Sequence, residues 1–320
     1  LHLNNVYHIL LFSGGFTVTI LHPFILLLST LIISYSSQAS SEHLFSGFSE
    51  CGDSLYAHGG YSYVGQGGQF FIKNQHDQSS FITIALSQPI IDILVLNDEL
   101  YTLTANRLEK RHASTGQLEE SFSIPNNPLA RFHGMTHLGS YLYLAAGEAG
   151  ILTFNTTTKT YEGFLKLPPL NENPRHRSAY VDVTSKDQHL IFLVDNLTVP
   201  MDPRLKGAFK GLVTYNTLSQ QTFLFDQAVD PGFETVDVLD GKLLATSFFP
   251  AWTFAIEPLI KKNKVALIRR WVSLGNLQGT KSGKLFIDEE KGNIYSCLHL
   301  KIPRGERGQY KIVVMDKSLI

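Results

Sequence analysis

The chain has 320 residues, 27 Lys and Arg against 28 Asp and Glu, and a formal net charge of −1. That balance excludes the broad basic surface that general nucleic-acid binding needs. No Walker-type loop, no GxGxxG after a strand, no HExxH and no CxxC pair is present, so the common phosphate, dinucleotide and zinc signatures are excluded as well.

The first forty residues contain no Lys, Arg, Asp or Glu. Phe24–Ile33 is a continuous apolar run, and Ser37-x-Ala39 after it satisfies the small-residue cleavage rule. Residues 1–39 are expected to be a signal peptide, which makes the protein exported, periplasmic or secreted. A retained membrane anchor over Phe16–Ser36 and a buried core helix are the alternatives. Any membrane contact is expected through this segment alone, with residues 40–320 forming one domain.

From Ser54 onward a weak repeat of about 40–50 residues recurs roughly six times. Its units are Ser54–Leu86, Ile90–Ile124, Arg131–Leu167, Ala179–Gln227, Glu234–Leu274 and Thr280–Leu319. Within each, short alternating apolar stretches are punctuated by Asn-Asp, Gly-Ser or Thr-Gly, which indicates half-buried antiparallel strands and tight turns. Such units must stack to bury their faces. The expected fold is all-β: a β-propeller of six four-stranded blades. The last unit lacks an outer strand, and Glu42–Ser49 is expected to supply it and close the ring. Five or seven blades, or an irregular N-terminal linker, are the alternatives.

In a propeller the A–B and C–D turns share one face, and the B–C loops and blade-to-blade connections share the other. The second set is long here: Leu167–Arg177, Asp195–Lys210, Phe248–Trp252 and Lys301–Gly308. Binding residues concentrate on long loops carried by a rigid scaffold. The candidate ligand-binding face therefore holds Arg131, Arg175, His176, Arg177, Arg204, Arg304, Phe248 and Trp252. Arginine forks and aromatic rings suit a small anionic ligand or another protein. A mixed, solvated rim with internal ion pairs is the competing reading.

Three acids sit between apolar neighbours on expected inner strands: Asp92, Asp182 and Asp237. Convergent carboxylates could hold calcium, which would make a propeller hydrolase of the lactonase or esterase kind. Carboxylates that cap backbone amides are the alternative. On a strand, residues four apart share a face, so His133 and His137 could both face the channel with His58 nearby. Cys51 and Cys297 lie in the first and last units, either bridged or as two isolated thiols. Asn155-Thr-Thr and Asn196-Leu-Thr match the glycosylation sequon.

The stretch YLYLAAGEAGILTFN, Tyr141–Asn155, carries the pattern Y-x-Y-x-A…G-[IL]-x-x-[FIV]-[DN]. It resembles the LVIVD-type repeat of exported bacterial β-propellers. YSYVGQGGQFFIKN matches in part and LYTLTANRLEKRHA more loosely, so the resemblance covers about the first half of the chain. It implies an exported propeller, often of unknown role, and it transfers no catalytic residues.

Overall fold

The computed structural model describes residues 45, 48, 54–77, 81–173, 175–196, 208–226, 233–239, 242–247, 253–256, 271–272, 281–288, 293–300 and 309–316. The chain divides into two compact units, Leu1–Ser46 and Gly47–Ile320. Of the first, Phe45 alone is described, so the signal, anchor and cleavage expectations lie outside the described residues. No helix among the described residues is long and apolar enough to cross a membrane.

Strands β1 (Ser54–His58), β2 (Tyr61–Gln66), β3 (Gln69–Asn74) and β4 (Phe81–Ala85) form an antiparallel sheet in chain order. Strands β5 (Asp92–Leu96), β6 (Glu99–Leu103), β7 (Arg107–His112) and β8 (Leu118–Ser123) repeat it. The next two sets are β9 (Ala130–Leu138), β10 (Tyr141–Gly147), β11 (Ile151–Asn155), β12 (Thr160–Phe164), then β13 (Ser178–Lys186), β14 (His189–Asn196), β15 (Gly211–Asn216) and β16 (Thr222–Asp226). One pairing, Gly147 with Tyr180, joins them into a single sheet. Strands β17 (Phe233–Leu239), β18 (Lys242–Ser247), β19 (Thr253–Ile256) and β20 (Trp271–Val272) make another sheet. The last holds β21 (Lys281–Asp288), β22 (Asn293–Leu300) and β23 (Gln309–Asp316).

The hairpins follow from local chemistry. Asn97 and Asp98, between β5 and β6, have φ of 52° and 61°. Two successive left-handed residues make the turn whose twist matches that of antiparallel strands, and Asn and Asp tolerate that region. Gly59 and Gly60 do the same between β1 and β2, at 57° and 82°.

The strands are more deeply covered than the alternation suggests. Leu142 and Leu144 of β10 join a cluster with Leu103 and Leu108 of the preceding sheet. Their neighbours Tyr143 and Ala145 join Phe192 and Val213 of the following one. Likewise Leu190 and Phe192 face back while Ile191 and Leu193 face forward onto Val236 and Leu243. Each middle strand is sandwiched, so both residues of the period-two repeat are apolar and the pattern collapses into runs such as YLYLAA. The expectation of half-buried strands holds for outer strands such as β8, whose residues are exposed or half-buried.

First strands pack in succession: β1 against β5, β5 against β9, β9 against β13, β13 against β17, β17 against β21 and β21 against β1. Of the expected closing segment Glu42–Ser49, Phe45 and Phe48 alone are described, and the rest lies outside the described residues. Phe45 sits in a turn and Phe48 outside any strand. The Phe48 ring meets Phe81 edge-on at 5.0 Å, and Phe81 opens β4, so this contact is with the first sheet.

Candidate functional site

One cavity of about 410 Å³ is lined by residues of all the first strands: Tyr56 of β1, Asp92 of β5, Thr136 and His137 of β9, Asp182 and Thr184 of β13, Asp237 of β17 and Phe286 of β21. All three acids singled out in the sequence are here. Their oxygens are engaged by neighbouring strands. Asp92 accepts from the Ile93 N–H at 2.9 Å and, across the sheet boundary, from the Met135 N–H at 2.7 Å. Asp182 accepts from the Val236 N–H at 2.9 Å, again across a boundary. Asp237 accepts from the Val238 N–H at 2.8 Å and the Thr184 hydroxyl at 3.0 Å.

Strand register explains why these acids do not converge. Asp92 pairs with Leu103 and Asp182 with Leu193, whereas Asp237 pairs with Leu244, two residues closer to its turn. At about 3.3 Å rise per residue, that offset is about 7 Å along the strand. Among the described residues no three His, Cys, Asp or Glu come together to hold a metal ion. Calcium takes several oxygens at one point, and these three carboxylates do not form such a group among the described residues.

Tyr56 stands in this cavity with its ring edge-on to Phe286 at 5.2 Å. Burial and then the charge of Asp237 push its hydroxyl up to about 12. Burial also lowers the His137 pKa, so its imidazole is neutral at pH 7. Ser185 Oγ donates to the His137 carbonyl at 2.7 Å and lies 3.1 Å from the Thr136 hydroxyl, tying β13 to β9.

The histidines are not gathered as the four-residue spacing suggests. His133 does not line the cavity. The β9–β10 register slips between Ala145, opposite Gly134, and Gly147, opposite Ala130. Four residues of β9 thus answer two of β10, and this bulge carries His133 off the alternation. His58 lines a separate cleft of about 470 Å³ between the first two sheets, 3.6 Å from Asp98.

The loop residues form a second group. Arg177 presents its fork to Glu148, in the loop joining β10 and β11. This pairing is the largest cause holding the Glu148 carboxyl below its ordinary range, and the charge of Arg131 adds to it. The structure therefore brings Arg131 and Arg177 together around an acid that no sequence pattern singles out. Arg175 is exposed, and Asn173 fixes its backbone by accepting from the Arg175 N–H at 3.0 Å and the His176 N–H at 2.9 Å. Asn171 fastens the same loop to the segment before β15, accepting from the Phe209 N–H and donating to Ser178 Oγ. Arg204, Phe248, Trp252, Arg304 and Cys51 lie outside the described residues, so neither the rest of that face nor the Cys51–Cys297 bridge is placed.

No family model matches the chain. No curated protein matches it. Solved structures do match. U3-55K superposes with a TM-score of 0.51 at 9% identity, covering 84% of this chain and 97% of that one. KlAtg21, solved in complex with the coiled-coil of AgAtg16, gives 0.50 at 8% identity over 78% and 80%. The WD40 domain of Neurospora crassa Pan2 gives 0.44 at 9% over 81% and 89%. At such identities the likeness bears on the fold alone: an all-β, propeller-like array of antiparallel sheets.

Proposed function

We propose that this chain is a closed six-bladed propeller, exported by its N-terminal segment, that acts as an interaction module. The blade count is supported by the succession of first strands in which β1 packs against both β5 and β21. Export is supported by the charge-free, apolar first forty residues and by the resemblance of Tyr141–Asn155 to LVIVD-type repeats. One observation carries the functional reading: the buried cavity acids accept from backbone amides of the adjacent sheet, which makes them parts of the scaffold. Chemistry for a partner is left to the long-loop side, where Arg175, His176 and Arg177 stand on a loop held by Asn171 and Asn173, with Arg131 at the start of β9 beside them. The guanidinium groups suit carboxylates of another protein or a small anionic ligand. KlAtg21, a chain of similar fold, is itself solved bound to a protein segment.

The test compares proteins that co-purify with the full chain, with Arg175→Glu and with Asp182→Asn. A partner kept by Asp182→Asn in its folded fraction and lost from Arg175→Glu supports the reading. The same set of proteins with all three, or loss with Asp182→Asn alone, contradicts it.

A further inference from the structure

The outer strands differ in how their open edges are protected. An unpaired edge is a template for another strand, and charges or packing normally block it. β8 carries Glu119 and Glu120, and β12 carries Glu162; the two are also tied together, Tyr161 donating to the Phe122 carbonyl at 3.2 Å and Lys159 pairing with Glu120 at 2.6 Å. β4 has no charge, but the chain's own Phe48 sits on its Phe81. β16 (Thr-Phe-Leu-Phe-Asp) has one charged residue, at its end. Two of its successive apolar side chains, which point to opposite faces, are open: Phe223 is 52% exposed and Leu224 37%, with Leu218 of the preceding turn at 76%.

The backbone of β16 is arranged for one particular partner. The Asn216 N–H donates to the Gln221 carbonyl at 2.9 Å, so 216 and 221 are a hydrogen-bonded pair. In an antiparallel ladder such pairs alternate. With Thr214 opposite Phe223 and Leu212 opposite Phe225, those residues bond inward to β15. Thr222, Leu224 and Asp226 therefore turn their N–H and C=O groups away from β15, to an edge that no strand pairs among the described residues. A two-fold axis through Leu224 sets 224 against 224, and 222 against 226, of a second copy. Each outward N–H then meets an outward C=O. No like charges face each other, because Asp226 falls opposite Thr222. We infer that two copies of this chain pair through β16, antiparallel about Leu224, into one continuous sheet. A two-fold contact of this kind uses the same patch on both copies and closes at two. The inference does not depend on which surface takes the partner proposed above.

Full-length chain carrying Leu224→Cys is oxidised and run without reductant, beside the parent chain and Leu118→Cys on β8. Residues on the axis lie within disulfide reach. A covalent dimer specific to Leu224→Cys and lost on reduction is expected. Its absence, or equal crosslinking by Leu118→Cys, overturns the proposal. Light scattering on the full chain gives a second reading. A dimer is expected that becomes monomer in Leu224→Lys with the melting temperature of the monomer retained. A monomeric parent chain, open-ended oligomers, or a dimer that survives Leu224→Lys and is lost in Thr83→Lys of β4 would each overturn it.

Discussion

Two sets of acids in this molecule meet opposite fates. In the central cavity Asp92 and Asp182 are 8% and 4% exposed and accept from backbone amides of the next sheet. On the loop side Glu148 faces an exposed arginine. Burial makes the difference. A strand amide shut away from water is costly to leave without an acceptor, and a carboxylate supplies a strong one. An ion pair open to solvent is screened and holds two flexible side chains for little return. The cavity acids are therefore structural fasteners between sheets, whereas the rim pair is a feature of the surface that a ligand can rearrange.

Replacing Asp92 should break this comparison most severely. Asp92→Ala removes the acceptor of two amides, one in its own strand and one in β9. Charged hydrogen bonds and stranded buried donors are worth about 1.5–3 kcal/mol each, so a loss of about 3 kcal/mol is expected by denaturant unfolding. A loss below about 1 kcal/mol would remove Asp92 from the fasteners. Asp182→Asn keeps one acceptor oxygen toward Val236 and should cost less, about 1–2 kcal/mol. If addition of calcium raised the melting temperature of the parent chain but not of Asp182→Asn, the account of this acid as purely structural would be wrong.

The next effect is on pH dependence. His137 is buried and its folded pKa lies below its ordinary 6.5, so the unfolded chain takes up the proton first. Stability should fall as pH drops from about 6.5 toward the folded value, and His137→Gln should flatten that limb of the melting curve. Identical pH profiles would show that His137 contributes nothing. The smallest effect belongs to the rim. Arg177→Ala should leave the melting temperature at pH 7 essentially unchanged. It should nevertheless return the Glu148 carboxyl, followed by NMR, upward toward its ordinary 4.5. The pairing favours the folded state above that range and is lost as pH falls through the lowered value. A large drop in melting temperature on Arg177→Ala would place this pair among the fasteners.

Much of the strand order was legible because turns and apolar runs are local signals. The repeat starting at Ser54 begins with β1 itself, and the apolar stretches HLIFLVD and NIYSCLHL of later units are the strands β14 and β22. Asp92, Asp182 and Asp237 could be chosen as acids between apolar residues, and the cavity they line was legible with them. Their partners were not, because the amides of Met135 and Val236 carry no side-chain signature and lie far along the chain. The spacing of His133 and His137 misled because a bulge in β9 leaves no mark in the sequence. Glu148 was overlooked because one acid among surface arginines has no pattern. One signal was present and unread. The ends of β11 and β15 share Asn-Thr-x-[ST], and in both the Asn side chain accepts from the N–H groups two and three residues on: Asn155 from Thr157 and Thr158, Asn216 from Leu218 and Ser219.

That turn carries a consequence for the life of the chain before it folds. Asn155 is 9% exposed, its oxygen holds the turn, and its amide nitrogen donates to Glu162 at 2.9 Å. A sugar-transferring enzyme needs that same nitrogen, accessible and unengaged. In a compartment where such enzymes work, carbohydrate could reach Asn155 only before the hairpin of β11 and β12 forms. A glycan there would then record that the enzyme had outrun folding.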